Sequence, residues 1–321
     1  MKKFFLFLSL ILCMSITFKV FSDDEGTTYA ERLGWEKGSR VVIFHIDDVG
    51  LCLGANMGTI EAFTKGVANS CSIMMPCGWV EQFVKEWKKN PHWDVGLHLT
   101  LTSEWDNYRW GPVSGFQQVP GLVDSSGYMW GDVKDVVLNA KPEEVDREIR
   151  AQLALAEKIG LKPTHLDSHM GTLFASLKFL EKYINLGIEK QIPVLFPGGH
   201  MQYLQRELPM PREVVDSWAK KIWEGGLPLV DDVLTFTYDW KTEDKFEPMT
   251  KALREMRPGI TEVILHCAIP TEEFPFFTQS SATRKGDYLI MIHPEFKKFL
   301  EEEKILLTTW RELMERRARI K

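Results

Sequence analysis

From about residue 41 onward, short runs of β-type apolar residues alternate with segments whose apolar positions recur every three or four residues. The strand-type runs fall near 41–46, 67–75, 93–99, 164–168, 192–196, 233–236, 260–266 and 304–308. Between them the spacing predicts helices over about 56–65, 79–89, 142–159, 175–190, 211–224, 243–256 and 308–318. The 142–159 segment is the clearest. Pro142 opens it, Glu143 and Glu144 suit the positive end of a helix dipole, Val145, Ile149, Leu153 and Ala156 form one face, and Gly160 stops it. Strands that alternate with helices argue for parallel pairing through crossover connections. Seven or eight such units in roughly 280 residues fit a TIM-like (β/α) barrel better than a doubly wound sheet.

Two segments stand outside this alternation. Residues 103–140 form an insertion after the 93–99 strand, rich in glycine and carrying Trp105, Tyr108, Trp110 and Trp130, on the side of the barrel where strands end. Residues 1–22 read as a secretory signal: Lys2 and Lys3, an apolar run from Phe4 to Ile16 too short to span a membrane, and a polar start at Asp23. The expected mature chain, 23–321, is then a single barrel domain, exported to the periplasm or medium, with no membrane anchor.

Composition narrows the partners. The chain is 44% apolar and 26% charged, as a globular protein with a sizeable core requires. Removing residues 1–22, which hold three lysines and no acids, takes the formal charge from −6 to −9. An acidic chain without a basic block is a poor partner for nucleic acid. Cys52, Cys71, Cys77 and Cys267 match no zinc-ribbon spacing and read as buried free thiols, with a Cys71–Cys77 bridge as the alternative. The sequence leaves the oligomeric state open, a homodimer included.

The chemistry-bearing residues cluster at strand ends. Asp47-Asp48 closes one apolar run, His98 another and His266 a third, while His165, Asp167 and His169 share one face of an extended segment. In a parallel barrel all strand ends open on one face, so these residues converge. Two adjacent buried carboxylates repel unless a cation lies between them, and a solvated turn with a helix N-cap is the competing reading of the pair. Two aspartates plus histidines supply a three-ligand metal centre with one carboxylate left over as a base.

The set Asp47-Asp48-Val49-Gly50 with Asn56, Gly96-Leu97-His98-Leu99-Thr100 and Pro163-Thr164-His165-Leu166-Asp167-Ser168-His169 resembles the YdjC-like (ChbG-type) carbohydrate deacetylase family, in the same order over nearly the whole mature chain. The resemblance implies a (β/α) barrel related to polysaccharide deacetylases, one divalent metal ion (magnesium or zinc) and hydrolysis of the N-acetyl group of an amino sugar. Carried over by motif, it makes Asp48, His98 and His169 the metal ligands, Asp47 the base and His266 the acid that protonates the leaving amine. His165 is then better placed as a support behind the ligands or a substrate contact than as a ligand, and Asp167 as a substrate contact. The chain departs from the family in reading His45-Ile46-Asp47-Asp48-Val49-Gly50 where Asn-Ala-Asp-Asp-Phe-Gly is common, and His266-Cys267-Ala268 where His-Pro-Gly is common. The chitin-disaccharide substrate is therefore not implied.

Trp105 and Trp110 are candidates for stacking on sugar rings, packing of the insertion being the alternative. Three functions follow for comparison: an acetylated-saccharide deacetylase, a metal-dependent hydrolase of another amide or a phosphoester, and a secreted saccharide-binding protein without catalysis. The free carboxylate of Asp47 argues against the last, and the absence of an Arg/Lys cluster near the motifs argues against the phosphoesterase.

Overall fold

The computed structural model describes residues 26–207 and 210–320, so the expected secretory signal at 1–22 lies outside the described residues. Seven strands are present among them: β1 Arg40–Val49, β2 Ser70–Ile73, β3 Val95–Leu99, β4 Leu166–Ser168, β5 Asp232–Leu234, β6 Gly259–Leu265 and β7 Leu306–Leu307. Every pairing is parallel, in the order β4-β3-β2-β1-β6-β5. β7 pairs Val41 and Val42 of β1, before β2 takes over at His45. From Val41 to Val49 β1 is buried throughout, as a central parallel strand covered on both faces must be.

The expected strand at 192–196 reduces to two isolated bridges, Leu166 to Val194 and Pro197 to Val230. Pro193 and Pro197 bring no N–H, so a full ladder cannot form there. These bridges still join β4 to the β5 side and curl the sheet into a TIM-like barrel with its helices outside.

The helix at Pro142–Lys158 buries the expected apolar face. Glu144 closes its first turn by accepting from Lys141 N at 2.7 Å. Glu148 and Gln152 are also buried on it, Glu148 accepting from the backbone N–H groups of Val113 and Ser114 at 2.9 Å and Gln152 bonding the backbone of Thr100. This polar seam ties the 103–140 segment to the end of β3. Helices at Ser281–Met291 and Pro294–Glu302 were not expected, and the first has a physical reason: its buried face carries Thr283, Arg284 and Asp287 among the apolar residues, which breaks the periodicity. All four described cysteines are buried and unbridged. No described helix is long and apolar enough to cross a membrane.

Candidate active site

The end of β1 is irregular in a way that serves chemistry. Neighbouring side chains of a regular strand point to opposite faces, which would separate Asp47 from Asp48. Here the register slips between Ile46 and Val49, and Asp48 takes a left-handed conformation at φ 64°. That conformation costs about 1–2 kcal/mol in a residue with a Cβ. It turns Asp48 to the same chamber as Asp47, and Asn56 Oδ1 braces the turn by accepting from Gly50 N at 2.8 Å.

His98 arrives from β3, where its backbone partner on β4 is Asp167, so the two side chains lie on one face. Asp167 Oδ1 lies 2.6 Å from His98 Nδ1, which leaves Nε2 pointing at Asp48. His169 follows β4 in a tight turn with left-handed Met170 and Gly171. Its Nδ1 lies 3.3 Å from Asp48 Oδ1 and 3.2 Å from His98 Nε2, and His98 Nε2 lies 3.4 Å from Asp48 Oδ1. Ligand atoms bound to one ion at about 2.0–2.2 Å stand about 3.0–3.5 Å apart in tetrahedral or octahedral geometry. The three atoms meet that spacing, and Asp48 Oδ1 is buried without a hydrogen bond among the described residues. The donor set therefore fits a divalent cation.

Each of these three side chains has a charged partner behind it. Asp167 stands behind His98, Glu104 Oε2 lies 3.0 Å from His169 Nε2, and Arg284 Nη2 lies 2.7 Å from Asp48 Oδ2. Burial would raise the Asp48 pKa, but Arg284, His169 and His98 outweigh it and hold the carboxyl well below the usual range. Such partners lock ligand orientation and, for imidazoles, the tautomer.

Asp47 stands beside this set with Oδ2 3.8 Å from His266 Nε2, at the end of β6. Asp287 Oδ2 accepts from His266 N at 2.9 Å, while Asp287 Oδ1 pairs with the wholly buried Lys245 at 2.7 Å. Burial lowers the His266 pKa to about 4; Asp48 pulls the other way and Arg284 adds to the lowering. His266 is thus neutral near pH 7.

Asp47, Asp48, His98, His169 and His266 come together; the expected substrate contacts mostly do not. His165 is fully buried, stacked on Trp310 at 5.4 Å between centroids and bonded to Thr164 Oγ1 at 3.0 Å. It faces the barrel interior, out of reach of a dissolved substrate, and that expectation is corrected. Asp167, 2% exposed, is likewise enclosed between His98 and His45 and orients rather than receives. Trp110 is 4% exposed and donates Nε1–H to Thr102 O, so it packs the insertion behind His169. Trp105 is half-buried, stacked on Phe277 at 5.0 Å, with the Arg284 guanidinium 5.6 Å from its ring. Glu104, Arg284, Lys245 and Asp287 were missed. Arg284 and Asp287, three apart on a helix, would have been found by asking which charges interrupt an apolar face; Glu104 carries no local signal. A cavity of about 1180 Å³, lined by both basic (Arg32, Arg212, Arg257) and acidic (Glu31, Asp216, Asp231) side chains beside the starts of β1, β5 and β6, shares no residue with this cluster.

Comparison with known proteins decides the family: the model of the YdjC-like protein family matches residues 41–302. The chain belongs to the YdjC-like family. A relative from Thermus thermophilus, named carbohydrate deacetylase, is 31% identical over 285 residues, covering 89% of this chain and 97% of its own. A Brevibacillus brevis protein of the same name is 29% identical, covering 85% of this chain and 99% of its own. A Yersinia enterocolitica chitooligosaccharide deacetylase is 35% identical over 136 residues, 40% of this chain and 49% of its own. Among solved structures, an Enterococcus faecalis protein superimposes with a TM-score of 0.73 at 23% identity, over 86% of this chain and 99% of that one, which shows the shared fold.

Proposed function

We propose that this YdjC-like protein is a metal-dependent deacetylase that hydrolyses the N-acetyl group of an amino sugar or its oligosaccharide. The observation that carries the reading is the triangle of Asp48 Oδ1, His98 Nε2 and His169 Nδ1 at 3.2–3.4 Å, with the carboxylate of Asp47 beside it. Its relatives' names supply the substrate class. A divalent ion held there would polarise the acetyl carbonyl and acidify water.

The chain's own residues do the rest. Asp47 receives the proton of the attacking water. Since His266 is neutral at rest, the proton delivered to the departing nitrogen is the one Asp47 has taken, and His266 Nε2, 3.8 Å from Asp47 Oδ2, is placed to carry it. Acetic acid and a free amine leave, the acid's proton passing to the amine or to bulk water, and Asp47 and His266 regain their starting protonation. Trp105 offers the aromatic surface for the sugar ring. A phosphoester finds less support, because the guanidinium nearest the site is already paired with Asp48. Export of the mature chain is proposed on the Lys2-Lys3 and apolar-run leader alone.

Acetate release from N-acetylated and O-acetylated saccharides, measured with added magnesium or zinc and again after chelation, tests the reading. Metal-dependent release from an N-acetylated sugar is expected. No release from any of them, or release untouched by chelation, refutes it.

A further inference from the structure

Beneath the site the barrel interior carries a second layer of polar groups, centred on His45. It lies two residues before Asp47 on the same face of β1 and is fully buried. Its Nε2 lies 3.1 Å from Asp47 Oδ1, 3.0 Å from Asp167 Oδ2 and 3.0 Å from Ser72 Oγ. Its Nδ1 lies 3.0 Å from Ser70 Oγ and 3.9 Å from Glu262 Oε1, and the His165 ring meets it edge-on at 4.9 Å. Two carboxylates that act on different parts of the site therefore converge on one imidazole nitrogen.

The two oxygens of Asp47 are consequently unlike. Oδ1 is buried, with no regular hydrogen bond among the described residues but with His45 Nε2 at 3.1 Å and His98 Nδ1 at 3.8 Å as its ion-pair neighbours, whereas the 11% of the side chain still exposed lies elsewhere and Oδ2 looks toward His266. A carboxylate free to rotate would exchange its oxygens, because the torsion is soft and two-fold. We propose that His45 is the positioning residue for Asp47: it anchors Oδ1 in the barrel interior, leaves Oδ2 as the one oxygen that meets the reacting water, and through Asp167 ties that orientation to His98. The inference rests on the proposed deacetylation.

The surroundings agree with this role: Ser70 Oγ and Ser72 Oγ each lie 3.0 Å from one of the two ring nitrogens of His45, and the His165 ring closes its edge at 4.9 Å, so the imidazole is held in one orientation.

His45→Asn and His45→Gln, with Glu262→Gln as the control, are compared with wild type as full chains loaded with metal. The readouts are kcat and KM on the N-acetylated saccharide from which wild type releases acetate, and the metal dissociation constant by chelator competition. A misplaced base is expected to lower kcat about 10- to 100-fold in both histidine variants. KM and metal affinity should stay within about twofold, as should kcat in Glu262→Gln, which leaves both contacts of His45 Nε2 intact. Full kcat in either histidine variant overturns the proposal. So does a loss matched by metal loss, an equal loss in Glu262→Gln, or failure of both histidine variants to fold, each of which assigns His45 to the scaffold. Wild type that releases no acetate sinks the deacetylase reading and this one with it.

Discussion

Replacing Asp167 by Asn perturbs the candidate metal centre from behind while leaving its three ligands in place. The Asn carbonyl can still accept from His98 Nδ1–H, so the 2.6 Å contact survives in shape and loses its charge. A hydrogen bond to a charged group contributes about 1.5–3 kcal/mol and a neutral one about 1 kcal/mol. The difference, about 0.5–2 kcal/mol, is the basicity that His98 would no longer bring to the ion. It corresponds to a dissociation constant about 2- to 30-fold weaker. That range overlaps the roughly 10- to 100-fold usually lost when a hydrogen-bond partner of a ligand is removed. Competition against a chromophoric chelator, with zinc and with magnesium, reads the constant. Thermal unfolding of the metal-free chain checks that the barrel is intact. An Asp167→Asn variant that folds normally and binds metal as tightly as wild type would refute the role assigned to Asp167, and with it the view that His98 is oriented through Nδ1.

His169→Ala should lose metal and activity together, whereas Asp47→Asn should keep metal by elemental analysis and lose about 10²- to 10⁴-fold in turnover; full metal occupancy in the first or an active second would reverse the roles. His266→Ala should slow hydrolysis of an N-acetyl sugar far more than that of an activated acetyl ester, whose leaving group needs no proton, and equal losses would place His266 in binding or structure. Lys245→Met leaves Asp287 buried without its cation, so about 3–5 kcal/mol of stability should be lost in denaturant unfolding; an unchanged midpoint would show that Asp287 simply takes up a proton. Terminal sequencing of the expressed protein should find a start near Asp23 in the exported fraction, and Met1 retained on cytoplasmic chain would overturn export.

Local pattern carried most of the scaffold, because a helix or strand that buries one face must repeat its apolar residues at that element's own period. The helix at 142–158 and strands β1, β3 and β6 were legible for that reason. The segment 192–196 was not, since its apolar run is strand-like while its prolines forbid the ladder. The helix at Ser281–Met291 hid because its buried face is partly ionic, and those same charges brace Asp48 and His266.

The candidate ligands were legible for a different reason. Asp47, Asp48, His98, His169 and His266 all sit at the ends of strand-type runs, and parallel strands open on one face, so chain order and strand polarity sufficed to bring them together. Which of them faces which is another matter. The β1 register slip that turns Asp48 beside Asp47, the His98–Asp167 and His169–Glu104 contacts, and the enclosure of His165 depend on distances across the barrel between residues tens to hundreds of positions apart. Sequence by itself determined most of the elements, their parallel pairing and the reactive side chains at the strand ends. Tertiary structure alone decided burial and partnership, because whether a histidine meets metal, substrate or a neighbouring carboxylate is set by what packs against it from other strands.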